Sequence, residues 1–223
     1  MALRTGKILA YLFVAFTFLF LCNCAINGSS KSPLGIFKAS GDVGSVLHPG
    51  SVAYDPAAGQ YTVTGSGENM WFSKDAFYFV WEKTTGDMTI SGDVNFLGKG
   101  SNPHRKAVLM FRQSLKPDSV YADIALHGVG LTSLQYRPAT GANTEEVQAK
   151  VSGPHTLQLE KHGDEFSMLL GSGDGKLEPA GGPIHVPIHG EYYIGIGVCS
   201  HDASIVETAV FSNVNVRPSV PAP

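Results

Sequence analysis

The sequence predicts an all-β fold, a two-sheet antiparallel jelly-roll sandwich, preceded by an N-terminal signal helix. Three observations support this prediction. After the first thirty-odd residues the chain consists of short segments rich in β-branched and aromatic residues, separated by Gly, Pro, Asn and Asp. These segments show no helical periodicity longer than a turn or two. Their number, about twelve, and their even spacing favour a sandwich, and no internal repeat indicates a propeller.

The first element is a secretory signal over residues 1–24. Arg4 and Lys7 precede an apolar run from Ile8 to Leu21, which is the layout of a signal peptide. The run is shorter than the roughly 20 residues that cross a bilayer comfortably. A polar, flexible lead-in follows over residues 25–34. The protein is therefore expected outside the cytoplasm.

Two main processing routes remain open at Cys24. Cleavage after this residue would release a soluble secreted protein. Alternatively, the stretch from Leu21 to Cys24 resembles a bacterial lipobox, although Asn23 departs from the pattern, and lipidation of Cys24 would anchor the domain to a membrane. An uncleaved anchor is the third alternative. Apart from a signal or a lipid anchor, no membrane contact is expected.

The remaining elements are short strands of the domain, which we place at residues 35–216. A Pro-rich tail, residues 217–223, is predicted to be disordered because proline cannot donate a backbone hydrogen bond. The predicted strands, in order, are Ser51–Tyr54, Gln60–Gly65, Ala76–Lys83, Asp87–Phe96, Lys106–Ser114, Tyr121–His127, Leu131–Arg137, His155–Lys161, Glu165–Gly171, Ile184–Pro187, Tyr192–Ser200 and Ser204–Val216.

Charge and cysteine content exclude some classes of function. The formal net charge is −3, so the chain lacks the basic excess that a nucleic-acid partner requires. After the signal only Cys199 remains, and a single thiol cannot form an intramolecular disulfide. The stability of the domain must therefore come from its hydrophobic core.

Alternation along four strands predicts one unusual sheet face. Successive side chains of a strand point to opposite faces, so apolar residues such as Leu109, Ile124 and Ile196 share one side. The other side is rich in Arg, His, Asp, Gln and aromatic residues. A merely solvated exterior would favour Lys, Glu and Thr, so this face is a candidate binding surface.

Several short motifs follow one another in a fixed order along the chain. They are Asn69-Met70-Trp71, Asp75-Ala76-Phe77 with Phe79-Val80-Trp81, Gly86-Asp87, Met110-Phe111-Arg112-Gln113-Ser114, Tyr121-Ala122-Asp123 with His127-Gly128, Gln135-Tyr136-Arg137 and Ala209-Val210-Phe211-Ser212-Asn213-Val214. Together they resemble the concanavalin A-like lectin/glucanase superfamily. More narrowly, they resemble the bacterial domain at the C-terminus of β-xylosidase-type glycosidases, which also occurs beside Tol-type propellers. The resemblance implies a jelly roll with one concave sheet, the sheet that commonly meets carbohydrate in that superfamily.

We therefore predict a non-catalytic carbohydrate-binding-type module that uses the concave sheet face. Aromatic rings would stack on a glycan or a related polar ligand, and polar side chains would bind its hydroxyl groups. The alternative for the aromatic residues is core packing, and the alternative for Arg112 is an ion pair with Asp123. The predicted ligand-binding residues are Trp71, Trp81, Arg112, Asp123, His127, Gln135, Arg137 and His201.

Two other classes of function remain as alternatives. One is a structural or protein-interaction module of the cell envelope. The other is a glycosidase with a divergent site, although the strand that would carry its carboxylates retains only Asp123, whereas glycoside hydrolysis needs a pair. Cys199 could act as a nucleophile, but a buried structural thiol is the commoner case.

No cofactor is predicted, except that a structural calcium ion is conceivable. Asp42, Asp55 and Asp174 could contribute oxygen ligands to it, although Asp174 in its Gly-rich loop also fits simple turn chemistry. The eight histidines show no spacing that requires zinc. The sequence gives no information on oligomeric state.

Overall fold

The computed structural model describes residues 33–172 and 175–220, which form fourteen strands and no helix. The predicted signal and Cys24 lie outside the described residues. Within these ranges no helix is long and apolar enough to cross a membrane. The strands are β1 (Ala39–Val43), β2 (Ser51–Asp55), β3 (Gln60–Gly67), β4 (Phe77–Thr84), β5 (Met88–Phe96), β6 (Lys106–Arg112), β7 (Tyr121–His127), β8 (Thr132–Arg137), β9 (Glu145–Gln148), β10 (Thr156–His162), β11 (Glu165–Gly171), β12 (Leu177–His185), β13 (Tyr192–Cys199) and β14 (Asp202–Pro218).

The strands form two antiparallel sheets of seven strands each. Sheet A has the order β1-β4-β13-β6-β7-β8-β9, and sheet B has the order β12-β11-β10-β5-β14-β3-β2. Strands that are neighbours in a sheet are often distant in the chain, as β13 is from β4 and β6. The predicted two-sheet antiparallel sandwich is confirmed.

The main hydrophobic core lies between the two sheets. Phe111 of sheet A meets Phe166 of sheet B with ring centroids 5.4 Å apart, and Ile124 and Leu134 are fully buried beside them. Each large apolar side chain that is removed from water in this way contributes about 1.5–3 kcal/mol. The alternation that the sequence shows thus directs one face of each sheet into a shared core.

Three strands differ from the prediction, and all three lie at sheet edges. β1 and β9, which end sheet A, were not predicted, and most of β12, which ends sheet B, was expected to be loop. β12 carries Pro179 and Pro183, and its pairing with β11 shows two register shifts. An edge strand has one hydrogen-bonded neighbour, so it tolerates proline and weak apolar alternation.

The C-terminal end also differs from the prediction of a tail that begins at residue 217. β14 continues to Pro218, and Arg217 pairs with Thr89 of β5. The Ser219 amide then donates to the Asp87 carbonyl at 3.0 Å. Pro218 is tolerated because it is the last residue of the strand.

Candidate functional site

The polar face predicted from alternation is the side of sheet A that points away from sheet B, which we call the outer face. Arg112, Tyr121 and Arg137 lie in register across β6, β7 and β8. The next row on the same face lies two positions further along each strand, and in it Asp123 of β7 is paired with Gln135 of β8. Apolar residues from the same strands point into the main core instead. The predicted sidedness of these strands is therefore confirmed.

This face is not an open groove, because part of the chain crosses it. Residues 68–76, between β3 and β4, form a segment that we call the strap. Met70 and Asp75 of the strap form an isolated β-bridge. The strap is held to its surroundings by backbone hydrogen bonds from Asp75 N to Pro117 O and from Thr144 N to Trp71 O, both 2.9 Å. Met70 is fully buried against the sheet.

One half of the outer face is a closed ion-pair cluster. Asp75 Oδ2 accepts hydrogen bonds from Arg112 Nη1 at 3.0 Å and from Arg137 Nη1 at 2.9 Å, and its Oδ1 accepts one from Arg137 Nη2 at 2.7 Å. All three side chains are 0% exposed. The guanidinium groups also donate to the carbonyls of Phe72, Ser114, Lys116, Ser119 and Ala142.

This cluster corrects the predicted ligand contacts of Arg112 and Arg137. Both guanidinium groups are enclosed, and their donors are already used by Asp75 and by backbone carbonyls. The alternative of a structural ion pair for Arg112 has the right chemistry, but the partner is Asp75 of the strap rather than Asp123. The two arginines fix the strap on the sheet.

The other half of the outer face centres on Lys106. Its Nζ donates to Gln135 Oε1 and Asn69 Oδ1, each at 3.2 Å, and to the Met70 carbonyl at 3.4 Å. The residue is only 1% exposed. Burial lowers the pKa of the Lys106 ammonium, although nearby carboxylates oppose this effect.

Asp123 lies on the same half of the face and is 0% exposed. Neither Oδ1 nor Oδ2 has a hydrogen-bond partner among the described residues. Burial raises the pKa of this carboxyl well above its ordinary value, and the positive charge of Lys106 only partly offsets the effect. A buried carboxyl without a partner carries a substantial desolvation penalty.

His127 shares this environment at the end of β7. Gln135 Nε2 lies 3.4 Å from His127 Nε2, whereas the buried His127 Nδ1 has no partner among the described residues. Burial lowers the pKa of His127 to about 3, and the charge of Lys106 adds to the effect.

His201 lies close to this end of the face. Its ring centroid is 5.6 Å from that of His104, which in turn lies 5.7 Å from that of His127. His201 is half-buried, and burial lowers its pKa. Despite this proximity, no group of three His, Cys, Asp or Glu side chains in the described ranges is placed to hold a metal ion.

Unlike the buried groups described above, Trp81 and Tyr193 form an aromatic platform that reaches the surface. Both residues are partly exposed, their ring centroids are 6.1 Å apart with the ring planes at 79°, and Trp81 stacks on the buried Phe79 at 5.5 Å. Lys83 Nζ lies 5.4 Å from the Tyr193 centroid. Gly195 is opposite Trp81 in the register, and a Cβ there would lie 2.0 Å from the Val80 carbonyl oxygen. Glycine is therefore required where β13 approaches β4.

Trp71 lies on the strap rather than on the sheet. Its half-exposed ring stands over Lys106, whose Nζ is 5.5 Å from the ring centroid. Among the predicted residues, then, Trp71, Asp123, His127, Gln135 and His201 lie around Lys106. Trp81 belongs to the separate platform, and Arg112 and Arg137 belong to the ion-pair cluster.

The arrangement does not favour glycoside hydrolysis. Glu146 of β9 lies in the same register row as Asp123, but Gln135 stands between them and its Nε2 donates to Glu146 Oε2 at 3.4 Å. A hydrolase needs two carboxyl groups that flank the scissile bond, whereas here the side chain of Gln135 fills the gap.

Cys199 is not suited to act as a nucleophile, because burial raises the pKa of its thiol to about 11.

The aspartates considered for calcium serve local turns. Asp42 Oδ1 accepts from Gly50 N at 3.1 Å, and Asp55 Oδ1 accepts from Ala57 N at 2.8 Å. Asp174 lies outside the described residues. A structural calcium ion therefore stays a prediction.

Three residues of this surface are absent from the predicted ligand-binding set: Asp75, Lys106 and Tyr193. Alternation places Lys106 with Arg112 and Tyr193 with Gly195 on this face, but it does not indicate what either residue contacts. Asp75 has no such signal, because it lies in a loop and meets its partners only through tertiary folding.

Solved structures provide the comparison with known proteins. A functionally unknown protein from Saccharomyces cerevisiae matches with a TM-score of 0.61 and 16% identity, over 77% of this chain and 93% of that one. A carbohydrate-binding module from Bacillus subtilis matches with a TM-score of 0.50 and 19% identity, over 82% and 98%. A family 7 alginate lyase in complex with its product matches with a TM-score of 0.51 and 8% identity, over 75% and 83%.

No protein-family model matches the chain, and no curated protein matches it at the level of sequence. Identities this low establish the fold alone. The narrower resemblance to the domain of β-xylosidase-type glycosidases stays a prediction. What the solved structures support is the two-sheet jelly-roll fold of this chain.

Proposed function

We propose that the protein is an exported, non-catalytic carbohydrate-binding module that holds a glycan against the aromatic platform. The observation that carries this proposal is the pair of partly exposed aromatic residues, Trp81 and Tyr193, on neighbouring strands of sheet A. Sugar rings present C–H faces that pack on aromatic rings, and the two rings, whose planes are 79° apart, offer such a ligand one aromatic face and one aromatic edge.

Polar groups at the edge of the platform fit the same ligand. The Lys83 ammonium and the Glu191 carboxylate, 2.6 Å apart, are both exposed and can exchange their mutual contact for sugar hydroxyl groups. The site is shallow, so we expect weak binding, with Kd on the order of 10 μM to 1 mM.

The solved structures are consistent with this proposal. The Bacillus subtilis neighbour is itself a carbohydrate-binding module, and the alginate lyase neighbour is in complex with its product. Export would follow from the signal predicted at residues 1–24, with Cys24 lipidated or the signal cleaved. We place the module outside the cytoplasm on that basis alone.

A glycan array with the purified protein tests the proposal. We expect binding to at least one polysaccharide and its loss in Trp81→Ala. Phe72→Ala is the matched control, because Phe72 is a strongly exposed aromatic residue outside the platform. Equal unfolding midpoints of the variants would show that the loss is local. Unchanged binding in Trp81→Ala would overturn the assignment of the platform.

The second candidate function is a structural or protein-interaction module of the cell envelope. It is favoured by one observation, the burial of Arg112 and Arg137 beneath the strap, where a sugar-binding sheet would expose them. Failure to bind any polysaccharide on the array would put this candidate first.

A further inference from the structure

The last strand of sheet A, β9, has backbone hydrogen-bonding groups on its free side. Ala149 N, just after the strand, donates to the Thr132 carbonyl of β8 at 2.9 Å, whereas Thr144 N, just before it, donates to the strap. The amides of successive residues in an antiparallel strand point to opposite edges, so those of Glu146 and Gln148 point away from β8. No described strand lies on that side, because β9 ends the sheet.

This edge lacks the protection that β12 has at the edge of sheet B. β12 contains Pro179 and Pro183, and its pairing shows two register shifts, features that discourage pairing with a further strand. β9 contains neither proline nor lysine, and its register with β8 is continuous. The outward amides and carbonyls of β9 are therefore available to the backbone of another chain.

A groove of about 980 Å³, which we call the edge groove, lies between β9 and β12. Its apolar walls come from both sheets and from the loop after β9, and they consist of Val147, Val151, Leu170, Pro179 and Ala180. Val147 faces β12, since a Cβ on Gly181 would lie 3.5 Å from Val147 Cγ1. Val147 and Val151 are 36% and 53% exposed, so the groove is open to an occupant beside β9.

Two lysines give the edge groove a positive rim. Lys176 pairs with Glu178, whereas Lys150 is exposed and forms no ion pair with another described residue. The carboxylates of β9, Glu145 and Glu146, do not line the groove and accept hydrogen bonds from neighbouring side chains. An acidic group on the occupant is therefore complementary to Lys150.

We infer that β9 and the edge groove dock an extended segment of a partner protein, which joins sheet A as an eighth strand. Alternate side chains of the segment point into the groove, with an apolar one over Val147 and an acidic one towards Lys150. An acyl chain with a carboxylate would also suit the lining, but it would leave the outward amides of β9 unused. The site lies beyond β6, β7 and β8 from the aromatic platform, and it does not depend on glycan binding there.

Selection from random seven-residue peptides displayed on phage tests this inference. The wild-type protein is the target, and Gln148→Pro is the counter-target, because proline removes the outward amide and no hydrogen bond to β8. Gln148→Ala is the matched control, since it removes the same side chain and keeps the amide. We expect enriched peptides in which apolar and acidic residues lie two positions apart.

The affinity of a synthetic copy of an enriched peptide should be at least about fivefold lower for Gln148→Pro than for Gln148→Ala, because a backbone hydrogen bond is lost. Lys150→Glu should lower it about twofold to fivefold, the effect of an exposed ion pair. The absence of enriched peptides, or equal binding to the two Gln148 variants, would overturn the inference.

A second measurement leaves the protein unchanged and decides the question if Gln148→Pro unfolds at a lower urea concentration than Gln148→Ala. An added strand uses every other amide of the peptide, so N-methylation of one alternate set should abolish binding and N-methylation of the other should not. Bound peptide should also slow the amide hydrogen exchange of Glu146 and Gln148, measured by NMR, more than that of Val147. Equal effects of the two methylated peptides would contradict strand addition.

Two other occupants have distinct outcomes. Dodecanoate binding to wild type and Gln148→Pro alike, with no peptide enriched, would assign the edge groove to an acyl chain. A dimer in sedimentation velocity that Gln148→Pro dissociates would assign β9 to a second copy of this chain. Either result would overturn the inference, and neither bears on glycan binding at the platform.

Discussion

The two halves of the outer face are equally buried but differ in how their charges are satisfied. Asp75 is bound by two arginines, whose remaining donors reach backbone carbonyls. Asp123, on the neighbouring register row, has no partner for either oxygen among the described residues. Burial alone therefore does not show how a charge is accommodated, whereas the number of hydrogen-bond partners does.

The largest effect on stability is expected from Asp75→Asn, which disrupts the ion-pair cluster of the outer face. This change leaves Arg112 and Arg137 buried side by side without a counter-charge, and removal of one partner from a buried ion pair costs about 3–5 kcal/mol. Urea unfolding of the variant and the wild type measures the difference. Asp42→Asn, which alters an exposed aspartate that accepts a backbone N–H bond, is the control. A loss no larger than that of the control would mean that the strap is not held by these arginines.

An intermediate effect is expected from His127, on the half of the outer face around Lys106, as a dependence of stability on pH. The pKa of His127 is lowered to about 3 from 6.5, so below pH 6.5 the unfolded chain binds a proton that the folded protein excludes. The contribution of the neutral His127 imidazole to stability is complete above pH 6.5 and is lost as the pH falls towards 3.

His127→Gln should remove this pH dependence. Since one pKa unit corresponds to about 1.4 kcal/mol, the free energy of unfolding of the wild type should fall by about 3 kcal/mol more than that of the variant by about pH 4. Urea titrations across this range provide the measurement, and His185→Gln, at an exposed position, is the control. Parallel curves for His127→Gln and the wild type would show that the folded protein admits the proton.

The smallest effect is expected at the rim of the platform. Lys83 and Glu191 form an exposed ion pair, and exposed pairs contribute little because solvent screens them. Lys83→Ala should leave the urea midpoint unchanged within error while it weakens glycan binding. A clear loss of stability would indicate that the ion pair holds β13 to β4, and that the platform is a structural feature.

The sequence predicted the interior of the fold better than its margins. Tyr121–His127 and Glu165–Gly171 coincide with β7 and β11, because both lie between two neighbours and alternate cleanly. β1 and β9 were missed since an edge strand buries less and has weaker alternation. In β12, Pro179 and Gly181 give the composition of a loop, and the strand forms only because β11 is beside it.

The composition of the outer face was predictable, but its accessibility was not. Alternation placed Arg112, Asp123, Gln135 and Arg137 on one side, and the structure agrees. Nothing in the local sequence indicates that residues 68–76 return across that side. The strap is fixed by contacts between residues that are far apart in the chain, such as Asp75 with Arg137, and such contacts leave no periodic signal.

The prolines of β12 also bear on how molecules of this domain meet one another. Pro179 and Pro183 lack the amide protons that a foreign strand would need, and the two register shifts bend that margin of sheet B. Edge-to-edge pairing of two molecules along β12, the kind of pairing that builds fibrils, is therefore disfavoured.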